Sequence, residues 1–170
     1  GSLWHSQANE SMFAHQPGMR VVVPSTPEDA AGLMWTAMHA NDPTIFLVPK
    51  HLFRQQMKVD ENILPVGFGE AKIRRTGEDV TLVAWGNCIE QALAAVETMA
   101  DEASVEVIDL RSIIPWDKET IADSVEKTGR LVVVHEDGRA CSVGQMIISE
   151  LTGDPDCFCN FVSAPQLVAK

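Results

Sequence analysis

The sequence has no long apolar run and few basic residues, and both shortages restrict its function. A helix that crosses a bilayer needs roughly 20 consecutive apolar residues, and no stretch of the chain approaches this length. Lysine and arginine number 13 against 24 aspartates and glutamates, which gives a net charge of −11. Because nucleic acid is bound through clustered positive charge, we predict that the protein binds neither membranes nor nucleic acid.

Cysteine is scarce as well, and its spacing is not that of a redox or zinc motif. The four cysteines form no CxxC pair, and no segment resembles a secretory signal, which indicates reduced thiols in a cytosol-like compartment. Cys157 and Cys159 would share one face of a strand, where two thiolates can hold a metal. Since no second pair of ligands lies near them, we favour a structural role for both.

What the sequence does contain is the pattern of an α/β protein. Its 170 residues, 45% of them hydrophobic, suffice for one domain or two small ones. An apolar run of strand length begins at Val105, and it is followed by a helix that Asp117 caps and Gly129 ends. A second apolar run follows at Leu131–Val134. Two strands joined by a helix predict a parallel sheet that helices cover on both faces.

A similar strand, helix, strand unit precedes this one. A strand is predicted at residues 20–23, a helix starts at Ser-Thr-Pro 25–27, and Asn-Asp-Pro 41–43 stops it before a strand at 45–48. The apolar face predicted for this helix consists of Ala30, Leu33, Met34, Ala37 and Met38.

Further elements are predicted around these two units. Residues 71–74 are expected to form an edge strand and 80–85 a core strand, and Asn87 is expected to cap the next helix. A helix is predicted from Val143 to Leu151 and a last strand at 158–162. The fold class that results is a three-layer α/β/α architecture with a mostly parallel sheet.

Seven motifs together resemble a known family. They are HSQ (5–7), AHQPG (14–18), VVVPSTPEDAAGL (21–33), NDPTIFLVPK (41–50), DVTLVAWG (79–86), EVIDLRSIIPWD (106–117) and KTGRLVVVHE (127–136). In this order and spacing they resemble the beta subunit of the thiamine diphosphate-dependent 2-oxo acid dehydrogenases, of the branched-chain, pyruvate or acetoin type. The resemblance covers nearly the whole chain.

The resemblance implies a division into domains. Residues 1–50 would be the remnant of a transketolase-like pyrimidine-binding α/β domain, 51–67 a linker, and 68–170 a transketolase C-terminal domain that is truncated at its end. The parent enzyme would oxidatively decarboxylate a 2-oxo acid and transfer the acyl group to lipoyl groups. This chain alone is expected to be inactive and to serve subunit assembly.

Cofactors and partners are implied in the same way. Thiamine diphosphate and Mg would be held in the intact heterotetramer, because the family places the diphosphate site on the alpha subunit, and no GDG motif followed by asparagine occurs here. The expected partners are the alpha subunit, a second beta subunit and the dihydrolipoyl acyltransferase core, with self-association of this chain. The expected location is the cytoplasm, or the mitochondrial matrix in a eukaryote.

Two other functions remain open. The chain is alternatively a stand-alone, non-catalytic interaction or dimerisation module. It is otherwise part of another transketolase-like enzyme, such as a ketol transferase or synthase, although the HSQ and PSTPEDA motifs fit the dehydrogenase subunit better.

The resemblance also nominates site residues. His5 matches the histidine of the HSQ motif, which handles protons or stabilises intermediates, and imidazole suits that role because it titrates near neutral pH; the alternative is an ordinary loop histidine. Some family members bind a monovalent cation, K⁺ for example, where Ala37, Ala40 and Asp42 lie here. The alternative for these residues is a simple helix stop.

Other polar residues are interpreted structurally. His15 is placed in a turn, and Asp117 caps a helix. His135 and Glu136 follow a parallel strand, where ligands of α/β sheets bind, but a structural or interface role is favoured for both. Arg111 is expected either to pair with an acid across a domain or subunit boundary or to be a solvated surface arginine.

Overall fold

Two β-sheets form the framework of the protein, whose computed structural model describes residues 8–55 and 64–170. The helices in these ranges are α1 (Glu10–Ala14), α2 (Pro27–His39), α3 (Asn87–Thr98), α4 (Lys118–Thr128), α5 (Val143–Thr152) and α6 (Pro155–Phe158), with a 3₁₀ helix at Lys50–Arg54. The strands are β1 (Arg20–Val22), β2 (Thr44–Phe46), β3 (Lys72–Arg75), β4 (Val80–Ala84), β5 (Val105–Asp109), β6 (Ser112–Ile114), β7 (Leu131–Val134) and β8 (Gln166–Val168).

The larger sheet has five strands in the order β3-β5-β4-β7-β8. Strands β5, β4, β7 and β8 are parallel, and β3 pairs antiparallel with β5 at one edge. The chain enters the parallel set at β4, continues to β5 on one side, and then crosses to β7 on the other side. The predicted mostly parallel α/β sheet is therefore confirmed, and the strand order reverses at the β4–β7 pair.

Helices cover both faces of this sheet, as predicted. Successive residues of a strand point to opposite faces, and β5 shows this directly. Its Val107 belongs to an apolar cluster with α3, whereas the adjacent Ile108 belongs to a second cluster with α4 and α5. The three-layer arrangement follows from this alternation.

The smaller sheet has three strands in the order β2-β1-β6, with β1 parallel to β2 and antiparallel to β6. The sequence did not predict β6, because its three residues lie between a strand and the helix cap Asp117 and carry no period of their own. Val21 and Ile113 of this sheet share one apolar cluster with Val83 and Ile108 of the larger sheet. One core thus connects the two sheets, while the predicted domain boundaries stay a prediction.

Three buried charges and one partly buried arginine, here named the charge cluster, join the two sheets: Asp29, Asp109 and Arg111 are buried, and Arg74 is 12% exposed. Arg111 Nη1 donates to Asp29 Oδ1 at 3.0 Å, and Arg74 Nη2 donates to Asp109 Oδ2 at 2.7 Å and also to Asp29. The Asp29 and Asp109 side chains are 1% and 0% exposed, respectively. Arg111, expected to pair with an acid or to be solvated, is therefore a buried pairing residue.

The charge cluster is balanced at neutral pH. Burial alone would raise the pKa of Asp29, but Thr26, Arg74 and Arg111 together lower it below its usual range. Burial raises the pKa of Asp109 to about 6 against the opposing effect of Arg74. Asp29 is therefore ionised at pH 7 and Asp109 is mostly so, and the two arginines neutralise their charges.

The predicted apolar face of α2 is wrong in part. Leu33 is fully buried, but Met34 is 42% and Met38 67% exposed, and the other buried residues of this helix are Asp29 and Gly32. A Cβ atom at Gly32 would lie 2.6 Å from the carbonyl oxygen of Leu64. The helix therefore faces the core with Asp29, Gly32 and Leu33, because the charge cluster and this close backbone approach decide its orientation.

The end of the chain also differs from the prediction. Residues 158–162 do not form the last strand; instead Asp154 caps the short helix α6, which starts with Pro155, and the last strand is β8. Asn87 is not a helix cap either. Gly86 occupies the cap position of α3, and Asn87 donates a side-chain hydrogen bond elsewhere.

Other local signals were read correctly. Asp117 accepts a hydrogen bond from the Thr120 backbone N–H at 3.0 Å, and Gly129 ends α4 with φ of +67°. Thr26 caps α2 ahead of Pro27, and β3 is the predicted edge strand. In the described parts of the chain, no helix combines the length and the apolar character that a membrane span requires.

The charge cluster predicts a large cost for removing one of its charges. The substitution Asp29→Asn should lower the free energy of unfolding by about 3 kcal/mol or more, because the buried Arg111 and the partly buried Arg74 lose their shared carboxylate. The matched control is Asp42→Asn, which removes an ion pair with Arg20 at 2.7 Å. The Asp42 side chain is 54% exposed and that of Arg20 32%, so this substitution should cost less than about 1 kcal/mol. Urea unfolding of both variants measures the difference, and equal costs would contradict the assigned importance of the cluster.

Candidate functional site

A cleft of about 510 Å³ opens where the carboxyl ends of parallel strands from both sheets meet. Val23 and Leu47 enter its wall directly after β1 and β2, and Trp85 enters directly after β4. Glu136 follows β7. Ligands of open α/β sheets bind outside the carboxyl ends of strands where the strand order reverses, which here is the β4–β7 pair. This cleft is the candidate functional site.

A chain of contacts fixes one wall of the cleft. The Trp85 indole N–H donates to Glu10 Oε1 at 3.0 Å, and its ring stacks on the His135 imidazole with centroids 5.4 Å apart and an interplanar angle of 17°. His135 Nε2 lies 3.1 Å from the hydroxyl of Ser142, which also caps α5. Burial lowers the pKa of His135. The ring is therefore neutral at pH 7 and serves as a packing surface for Trp85.

Charges of both signs line the cleft. Lys50 and Lys170 contribute to its wall together with Glu10 and Glu136. Asn87 Nδ2 donates to Glu136 Oε2 at 2.8 Å, which connects the end of β7 to the first residue of α3. Burial raises the pKa of Glu10, and the nearby Asp137 and Glu136 raise it further. Carboxyl groups with a shifted pKa are found preferentially at functional sites.

The residues predicted as sites lie elsewhere or outside the described ranges. His5 lies outside the described residues, as does the middle of the predicted linker. Asp42 pairs with Arg20, and the Ala37 carbonyl accepts the Ala40 backbone N–H at 3.4 Å. None of these three lines the cleft. The cation site stays a prediction, as does the catalytic role of His5.

The described residues provide no obvious metal centre. Between residues 8 and 55 and between 64 and 170, no three His, Cys, Asp or Glu side chains are grouped so that they would hold a metal ion. The CxC pair is not one face of a strand, because Cys157 lies buried in α6 and Cys159 is exposed directly after it.

Two residues of the cleft wall were missed from the sequence. Glu10 belongs to none of the seven motifs, and Trp85 was predicted only as the last residue of the core strand 80–85. No local pattern predicts their contact, because 75 positions separate them. His135 and Glu136 were noted correctly at the end of a parallel strand; His135 is structural, whereas Glu136 reaches the cleft.

Comparison with known proteins places the chain in a family. Residues 69–168 match the transketolase C-terminal domain, and residues 1–56 match the transketolase pyrimidine-binding domain. The chain belongs to the transketolase C-terminal domain family. A solved structure described as a split-gene transketolase, an inactive beta4 tetramer, matches with a TM-score of 0.76 and 23% identity, over 95% of this chain and 50% of that one. This likeness supports the fold.

Curated relatives narrow the family. The chain is 41% identical over 161 residues to the mitochondrial 2-oxoisovalerate dehydrogenase subunit beta of Chaetomium thermophilum, covering 93% of this chain and 34% of that protein. It is 43% identical over 148 residues to the acetoin:2,6-dichlorophenolindophenol oxidoreductase subunit beta of Cupriavidus necator, covering 86% and 44%. The predicted resemblance to these beta subunits is confirmed. The chain spans between a third and a half of the length of these relatives.

Thiol chemistry tests the environment of the cleft. Cys88 lies in the first turn of α3, where burial, Glu136 and Glu10 raise the pKa of its thiol to about 11. At pH 8 only about one Cys88 thiol in a thousand would be ionised. Cys141 and Cys159 are exposed and should be alkylated by iodoacetamide at least a hundredfold faster, as peptide mapping by mass spectrometry measures. Equal labelling of Cys88 in the folded chain would contradict the assigned environment.

Proposed function

We propose that this chain is the carboxy-terminal part of the beta subunit of a thiamine diphosphate-dependent 2-oxo acid dehydrogenase. The enzyme oxidatively decarboxylates a 2-oxo acid and passes the acyl group to lipoyl groups. The observation that carries the proposal is the identity of 41% and 43% to beta subunits, over 93% and 86% of the chain, respectively. Because these relatives act on different substrates by name, the identity of the 2-oxo acid stays open.

In this proposal the chain contributes to assembly and is not active alone. As the resemblance implies, we assign thiamine diphosphate and Mg to a site that the alpha subunit supplies. His5 is assigned to proton handling in the assembled enzyme, and its partners there come from outside the described residues.

An exposed apolar surface supports the assembly role. Met34, Trp35 and Met38 are 42%, 49% and 67% exposed on α2, and we name them the exposed α2 patch. Neighbouring exposed apolar side chains on one helix are typical of an interaction surface. We assign this patch to contact with a second beta subunit, and the alpha subunit and the acyltransferase core to other surfaces of the enzyme.

Catalysis by the assembled enzyme tests the function. A beta subunit that contains this sequence, combined with the matching alpha subunit, should reduce a dye only when a 2-oxo acid is supplied. The substitution His5→Asn should lower kcat about a hundredfold or more, because a positioned acid–base group is lost. His15→Asn is the control, since His15 is an exposed turn residue, and it should change kcat less than about twofold.

The outcomes of this assay separate the alternatives. Ketol transfer without acylation of lipoyl groups would identify another transketolase-like enzyme. An absence of activity with every 2-oxo acid, combined with stable binding of another protein, would favour a non-catalytic interaction module. Full activity of the His5→Asn enzyme would remove the role of His5 and leave the dehydrogenase assignment intact.

Light scattering tests the assembly surface. The purified chain should associate with itself, and Met38→Glu should shift it towards the monomer by placing a charge in the contact. Met99→Glu is the matched control, because Met99 is 43% exposed directly after α3. If Met38→Glu and Met99→Glu give the same molar mass as the unmodified chain, then the exposed α2 patch is not the surface through which the chain associates.

A further inference from the structure

Glu10 is a buried acid whose surroundings oppose its ionisation. Glu10 is 4% exposed, and its carboxyl accepts hydrogen bonds from the neutral Trp85 indole at 3.0 Å and from its own backbone N–H. The carboxylates of Asp137 and Glu136 act on it from the segment after β7. An ionised carboxylate would accept the indole hydrogen bond more strongly. Burial and the two acids outweigh that gain and the effect of the Glu10 backbone N–H, so the pKa of Glu10 is raised in the fold.

Among the described residues, Glu10 also provides one of the two side-chain hydrogen bonds that join α1 to other elements. The second is Ser11, whose hydroxyl accepts the backbone N–H of Val143 at 3.2 Å. Helix α1 has five residues and no side-chain cap, and a helix of this length is not stable alone. Its position therefore depends on these two contacts and on its packing against the sheet.

The partner of Glu10 is held rigidly. Trp85 is 3% exposed and stacks on His135, which is 4% exposed and is held by Ser142. A displaced α1 would take away the acceptor of the Trp85 N–H, so this hydrogen bond would be lost. The contact thus joins α1 to the carboxyl ends of β4 and β7 and to the start of α5.

The charged and titratable groups around Glu10 come from several elements. Asp137 and Glu136 follow β7, and Cys88 lies in the first turn of α3 with a thiol that stays protonated at neutral pH. Lys50 and Lys170 line the same cleft, and the neutral His135 lies behind Trp85. Of these groups, the two acids are the ones that act on Glu10 most strongly.

We propose that Glu10 is a positioning residue that holds α1 against the sheet through Trp85, and that this hold weakens when Glu10 ionises. The sign follows from linkage. Since folding raises the pKa of Glu10, the stabilisation is complete below the pKa of an unfolded glutamate and is lost as the pH rises through the folded pKa.

The Trp85 indole and the Val143 amide report the contact without any enzyme activity. In ¹⁵N NMR of the full chain, the Trp85 indole resonance, assigned by Trp85→Phe, should titrate with a midpoint above that of exposed glutamates. The exchange protection of the Val143 amide, corrected for the intrinsic rate, should fall as the pH rises. The expected fall is about tenfold for every unit by which the folded pKa of Glu10 exceeds the unfolded one.

Variants distinguish positioning by Glu10 from a merely structural role. Glu10→Gln keeps an acceptor for Trp85 but does not titrate, so the indole titration should disappear and Val143 should stay protected at every pH. Glu10→Ala removes the acceptor, so protection should be lost at every pH. Asp137→Asn should move the midpoint to lower pH, and the exposed control Glu97→Gln should change neither signal.

Three results would overturn the proposal. One is a Trp85 titration that persists unchanged in Glu10→Gln. Another is a Val143 protection that does not depend on pH in the unmodified chain. The last is full protection of Val143 in Glu10→Ala, which would show that packing alone positions α1. Because none of these signals involves catalysis, failure of the dehydrogenase assignment would leave the result readable.

Discussion

The charge cluster of Asp29, Arg74, Asp109 and Arg111 is the interaction on which the arrangement of the two sheets depends. Its members come from α2, β3, the end of β5 and the turn into β6. Removing four charges from water is expensive, and the cost is offset only when every charge is paired and hydrogen-bonded. Here Ser25 donates to Asp109 at 2.8 Å, and the Glu70 carbonyl accepts from Arg111 at 2.9 Å. Asp109 and Arg111 thus also form hydrogen bonds outside their ion pairs.

Arg111, a member of this cluster, lies where the chain passes from the larger sheet to the smaller one. Arg111 has φ of +56°, a conformation that an L-residue adopts at a cost. At this residue the chain leaves β5 of the larger sheet and enters β6 of the smaller one. The ion pair with Asp29 and the bonds to the Glu70 carbonyl hold the side chain and oppose relaxation of the backbone. The carboxyl ends of both sheets consequently open into one cleft.

Local signals in the sequence predicted what local physics decides. Thr26 with Pro27, Asp117 and Gly129 define helix ends by hydrogen bonds within a few residues, and these were identified. The buried face of α2 was not, because ion pairs with residues 45 and 82 positions away orient the helix against its own apolar periodicity. The end of the chain was predicted wrongly because α6, which Asp154 caps and Pro155 starts, is too short to show a helical period. The Glu10–Trp85 contact is equally non-local. The resemblance supplied the family, while the roles of His5, Ala37, Ala40 and Asp42 stay predictions.

The charge cluster also limits how this protein can diverge. One of its four members, Asp29, lies in the part that matches the pyrimidine-binding domain, and the other three lie in the part that matches the C-terminal domain. In a chimera that joined halves from two relatives, Asp29 would come from one parent, and Arg74, Asp109 and Arg111 would come from the other. Unless both parents carried the same set of charges, one half would bring a buried charge without its counterpart. We therefore expect the two halves to be inherited as a unit, with substitutions at these four positions occurring together.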